Sequence, residues 1–154
     1  MTVECLDAGP ACAEVRRRLR AAGAPLTPPA DGPKSRAWDD KSAHRRRGLS
    51  GGAIRVLVGA WGRVREDAAA GLVEAGPAES GVYADFRRRG GGYDLVGLDA
   101  AGEPARDLGP DAGLLAATRR YEGPPVWLVT GGTATAVRAA AGLLGAAELR
   151  DHYA

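Results

Sequence analysis

Residues 126–137, VWLVTGGTATAV, carry the pattern that decides the fold. Val126, Trp127, Leu128 and Val129 form a continuous apolar run. A strand shows such a run when both of its faces are buried in a parallel sheet. Gly131 and Gly132 then break the run. Thr133 or Thr135 stands as N-cap of a helix predicted over 135–145, with Val137, Ala140, Ala141 and Leu144 facing inward. Strand, tight turn and helix make up half of a βαβ unit.

The same grammar extends outward. AIRVLVGAW (53–61) reads as a strand, with Ile54, Val56 and Val58 on one face and Arg55 and Leu57 on the other. A helix follows over 63–75, with Val64, Ala68, Leu72 and Ala75 as its apolar stripe and Gly76-Pro77 closing it. TVECL (2–6) is a short strand leading into a helix over 10–22, where Ala8, Cys12, Val15, Leu19 and Ala22 recur at helical spacing. Pro10 suits a first-turn position there, and Gly23 the residue past the C-cap. VYADF (82–86) and YDLVGLD (93–99) are two strands joined as a hairpin through Arg87–Gly92. Residues 111–120 read as a short helix, 126–130 as the apolar strand, and the tail 146–154 as a further helical turn. Trp61 and Trp127, in or at the end of apolar strands, are expected in the core, and the Arg87–Arg89 run in solvent. Strands alternating with helices imply an α/β fold: a small mostly parallel sheet with flanking helices and one antiparallel hairpin.

At 154 residues the chain suits one domain. Residues 1–25 are its first strand–helix unit, 26–52 a flexible basic Pro/Gly-rich loop, and 53–154 the remainder of the same domain. Lys34, Arg36, Lys41 and Arg45–Arg47 face only Asp39 and Asp40, so residues 34–47 carry net +4 while the whole chain carries +2. The basicity thus belongs to the loop, and the rest of the chain is no polycation. Hydrophobic residues at 45% and charged residues at 26% exclude wholesale disorder and a membrane bundle. Two lysines against nineteen arginines, with no Asn or Gln, is the mark of a GC-rich coding sequence, so arginine content alone signals no phosphate binding.

The longest apolar stretch, 139–147, is nine residues, against about 20 needed to span a bilayer. No charged segment followed by an apolar one opens the chain, so as written it would stay in the cytoplasm. Opening directly in a strand suggests an internal fragment of a longer protein or a mis-called start.

Four groups of residues could carry chemistry. The turn Gly131, Gly132, Thr133 and Thr135 places glycines and threonine hydroxyls at a helix N-terminus, where free N–H groups attract anions. A dinucleotide fingerprint would need further glycines where Ala134 and Ala136 stand, so the turn implies a small anion or nucleotide, or a plain cap. Cys5 and Cys12 flank one strand-to-helix turn. They could pair as a disulfide in an oxidising compartment, and in the cytosol they are two small core residues. Their spacing fits no metal pattern. The acidic set Asp94, Asp99, Glu103, Asp107 and Asp111 has no calcium-loop spacing and reads as solvated loop charge. The basic loop, with Trp38 and His44, could touch nucleic acid by charge and stacking, but a short +4 stretch is usually a solvated linker. Ser35, Ser42, Ser50 and Ser80 lie outside any nucleophile-elbow pattern. No catalytic set, metal site or cofactor is implied.

The stretches 54–86, 93–120 and 124–154, with 2–24 as lead-in, resemble an uncharacterised actinobacterial segment found downstream of a transcobalamin-C-terminal-like domain of unknown function. The resemblance implies an extracytoplasmic protein, at the cell surface or secreted, and supplies no catalytic residues. The expectation is a non-enzymatic binding or interaction module whose partner is a small anion or a protein. The alternative is a small anion- or nucleotide-binding domain using Gly131–Thr135.

Overall fold

The computed structural model describes residues 1–7, 9–27, 54–121 and 123–145. The basic loop with Trp38 and His44, and the tail 146–154, lie outside the described residues. The element order is β1 (Thr2–Cys5), α1 (Pro10–Ala21), β2 (Arg55–Ala60), α2 (Trp61–Val64), α3 (Ala70–Glu74), α4 (Pro77–Ser80), β3 (Ala84–Arg89), β4 (Gly92–Leu98), β5 (Pro104–Gly109), β6 (Gly113–Thr118), β7 (Val126–Gly131) and α5 (Ala134–Leu143).

Two sheets form, not one. The first has the order β1-β2-β7-β6: β1, β2 and β7 run parallel, and β6 runs antiparallel to β7. The second is an antiparallel meander, β3-β4-β5. The fold is therefore strand-rich, a mixed sheet beside an antiparallel one, and the expectation of a mostly parallel α/β sheet is corrected. The hairpin of β3 and β4 is present, extended by a third strand.

Two segments account for the difference. Residues 111–120 form β6 and not a helix. Their Leu and Ala content favours a helix locally, but Leu115 packs against one face of the first sheet and Leu114 against the other, the alternation of a strand. Pairing with β7 along its whole length overrides the intrinsic preference. Residues 104–109 form β5, which carries no apolar alternation to read, because Pro104 through Leu108 are all exposed.

The helix expected over 63–75 is also broken. The Asp67 carboxylate accepts from the Ala69 N–H at 2.9 Å and from Arg55 at 2.9 Å, holding a turn between α2 and α3. A short polar side chain bonding its own backbone competes with the helix ladder. The break shifts the helical phase. Val64, Ala69, Ala70 and Val73 are buried, while Ala68 and Ala75 face solvent and Leu72 is half-buried.

The first sheet is covered on both faces. On one face α1 and α5 lie side by side, so Val15, Leu19, Val137, Ala141 and Leu144 pack on Val3, Val56, Val58 and Val129. On the other, Leu57 and Leu128 meet Trp61, Val64, Ala70, Val73, Phe86 and Leu95. Trp61 stacks on Phe86 with ring centroids 4.3 Å apart and planes 16° from parallel. Trp127 is only half-buried, not in the core as expected. Arg87–Arg89 are exposed.

This asymmetry between the tryptophans is measurable. Trp61→Ala removes the stacked ring joining the two sheets and should cost about 3–5 kcal/mol in denaturant unfolding. Trp127→Ala should cost clearly less. Equal costs would contradict the packing described.

Candidate functional site

The Gly131–Thr135 turn sits where the sequence places it, at the C-terminal ends of the parallel strands β2 and β7. Gly131 ends β7, and Thr133, in extended backbone, caps α5: its hydroxyl oxygen accepts from the Ala136 N–H at 3.1 Å. The same hydroxyl can donate to Asp111 Oδ1 at 3.1 Å or to the Pro110 carbonyl at 3.4 Å. A carboxylate of the chain itself thus stands one hydrogen bond from the helix N-terminus, where negative charge is favoured. Thr135 is exposed and Thr133 half-buried.

The glycines have a packing role. A Cβ at Gly132 would overlap the Tyr93 carbonyl, and one at Gly131 would overlap the Ala136 methyl. The approach to the backbone that a ligand would need at Gly132 is filled by β4.

Cys5 and Cys12 are paired as a disulfide, with Cα atoms 5.9 Å apart. The bridge ties the end of β1 to the first turn of α1. Beside it the Asp7 carboxylate accepts from the Ala60 N–H at 2.6 Å, joining the loop after β1 to the end of β2.

Of the acidic set, Asp94, Asp99 and Asp107 are spent on structure. Arg89 pairs with Asp94 at 3.3 Å and with Asp107 at 2.9 Å across the second sheet. Asp99 accepts from the Ala101 and Glu103 N–H groups at 2.9 Å, shaping the β4–β5 turn. No group of three or more potential metal ligands occurs among the described residues. No described helix is long and apolar enough to cross a membrane.

A groove lies at the other end of the first sheet. Ala68, Gly71, Leu72 and Ala75, the row displaced outward by the break after α2, form one wall of this groove of about 650 Å³. Arg119, Arg120 and Tyr121, from the turn between β6 and β7, form the opposite wall, and Glu79 stands at its rim. A narrower cleft of about 210 Å³ adjoins it, beneath Arg55, Asp67 and Val126. Arg55 donates to Glu4 at 2.9 and 3.0 Å and to Asp67 at 2.9 Å. The Glu4 carboxylate foremost, with Asp67 adding to it against partial burial, holds the Arg55 guanidinium above its ordinary range. Its charge is therefore internally matched.

Tyr121 is the unusual member. It is 88% exposed, and its φ of +48° is the one positive value among the described non-glycine residues. A bulky side chain rarely adopts this left-handed backbone. The Arg119 guanidinium donates to the Tyr121 carbonyl at 3.1 Å and braces the turn. Reading 111–120 as a helix hid this site. The signal was Gly123-Pro124-Pro125 directly after Arg-Arg-Tyr-Glu, a turn signature between two strands.

No family model matches the chain, and no curated protein or solved structure is found to be similar to it.

The turn at α5 makes a graded expectation. Thr133→Ala removes only the cap and should lower stability by about 1 kcal/mol. Gly132→Val must push β4 away from the end of β7. It should cost considerably more, seen as a large drop in the melting midpoint or loss of soluble protein. A Gly132→Val protein that melts like the parent would disprove the Tyr93 contact.

Proposed function

We propose that this domain is a non-enzymatic binding module of an extracytoplasmic protein. The Cys5–Cys12 bridge is the observation that carries the reading. Disulfides persist in oxidising compartments and are rare where thiols are kept reduced. The resemblance to an actinobacterial segment beside a transcobalamin-C-terminal-like domain supports the same compartment.

The binding half of the proposal rests on the groove between α3 and the β6–β7 turn. Tyr and Arg are, with Trp, the residue types most enriched at the hot spots of protein interfaces. A tyrosine held outward in left-handed backbone, next to two arginines and facing an apolar wall, suits a protein partner better than a small ion. Backbone strain of this kind concentrates at functional positions. An anion at Gly131–Thr135 would meet the Asp111 carboxylate, so we favour the groove as the partner surface.

The compartment is tested by counting free thiols in protein recovered from its native host and denatured under an alkylating agent. The expected count is zero, and two thiols would sink the extracytoplasmic reading. In the purified protein, reducing this short loop should lower stability by about 2–3 kcal/mol in the chain-entropy model. The groove is tested by titrating mixed short peptides and following amide shifts. Shifts should cluster at Gly71–Ala75 and Arg119–Tyr121 and vanish in Tyr121→Ala. Shifts that survive in that variant would move the partner surface elsewhere.

A further inference from the structure

A sheet edge presents unpaired backbone donors and acceptors, and proteins usually guard it with charge, proline, bulges or covering chain. The two sheets have four edges, and three are guarded. Along β1, Thr27 donates to the Met1 carbonyl at 2.9 Å, and the Met1 ammonium donates to the Pro25 carbonyl at 2.9 Å, so the segment after α1 runs beside the strand. On β3, Ala84 and Phe86 are buried against the α3 side of the core, and the remainder is Arg87–Arg89. β5 carries Pro104, Arg106 and Asp107, and its pairing with β4 is interrupted by two register shifts.

The fourth edge is different. β6 reads Gly-Leu-Leu-Ala-Ala-Thr (113–118), with no charge and no proline, and pairs with β7 without a bulge. Among the described residues, no strand pairs with its outer side. Ala117 is exposed, and Gly113, Leu114 and Leu115 are half-buried.

The helix above this edge continues the uncharged surface. Gly113 lies under Ala136 and Ala140, since a Cβ at 113 would overlap the Ala136 carbonyl and crowd Ala140. Val137, Ala141 and Leu144 belong to the cluster shared with α1. Ala139 and Leu143 sit on the other side of Ala136 and Ala140 around the helix, beyond β6 and away from α1. Both are exposed, Leu143 by 41%.

We propose that β6 is a self-association edge, and that two copies of this chain pair through it antiparallel, joining two four-stranded sheets into one of eight strands. A two-fold axis normal to the sheet keeps directly opposed residues on one face. Centred on Leu115, it places Leu115 against its own copy, Leu114 against Ala116 and Gly113 against Ala117. Centred on Ala116, it opposes Leu115 with Ala117 and Leu114 with Thr118. Neither register brings like charges together. The same operation on β5 opposes Arg106 to Arg106, or Asp107 to Asp107, both unfavourable. In the registers centred on the middle of each strand, charge therefore favours β6 over β5. Ala139 and Leu143 of the two α5 helices then face each other across the joined edge.

Sedimentation of the full chain from micromolar to millimolar concentration tests this. A monomer–dimer equilibrium is expected, with amide exchange along β6 slowing as the dimer fills. Ala117→Lys and Leu143→Lys each place charge on the interface without touching the monomer core, and each should weaken dimerisation at least about tenfold. Leu108→Lys, on β5, should leave it unchanged. Melting of each variant at low concentration confirms that the monomer is intact. A parent that stays monomeric across the range overturns the proposal. So does a dimer that both β6-side variants leave intact.

Discussion

The structure depends on how closely backbone approaches backbone around the end of β7. Gly131 and Gly113 let α5 settle onto β7 and β6 until the Ala136 backbone nearly touches the strands. Gly132 lets the Tyr93 carbonyl of β4 press against the turn itself. One glycine pair thus fixes a helix on one face and docks the second sheet on the other. Tyr93 completes the clamp, because its hydroxyl accepts from Arg65 at 2.6 Å just after α2. Side chains cannot substitute for this arrangement, since any Cβ at these positions would separate the layers.

Such packing suits a chain rich in alanine. Ala136, Ala140 and Ala141 each bury little area, so the α5 face must gain its dispersion energy from proximity and not from bulk. The opposite face works differently. There the Trp61–Phe86 stack supplies the large apolar surface and couples β2 to the hairpin of β3 and β4. The disulfide adds a covalent constraint at the β1 end of the sheet, away from the glycine contacts. The three devices act at different points: the stack reinforces the contact between the two sheets, and the disulfide ties α1 to the first sheet at β1.

The functional reading follows from what these devices leave exposed. The glycine turn resembles a ligand cradle in sequence, yet its volume is filled by Tyr93 and its favourable potential is met by Asp111. The break at Asp67 turns an apolar row outward, and the β6–β7 turn lifts Tyr121 opposite to it. Polar contacts brace both walls of that groove, Asp67 with Arg55 on one side and Arg119 with the Tyr121 carbonyl on the other.

The sequence by itself determined β1, α1, β2, β7 and α5, along with the β3–β4 hairpin. In each of these the apolar spacing of the segment matches the face it buries, so local pattern and tertiary demand agree. The cysteine pair was legible as a possible bridge because it flanks a single turn. Tertiary structure alone decided β5 and β6. Neither face of β5 is buried, so burial left no trace in its residues. β6 is written in helix-favouring Leu and Ala and becomes a strand because β7 offers it a full ladder of hydrogen bonds and α5 a surface to fit beneath. Those two strands turn an expected parallel sheet into a mixed one with an antiparallel companion. With them come the exposed edge of β6 and the groove at Tyr121, since a contact between distant segments exists only once the chain has folded.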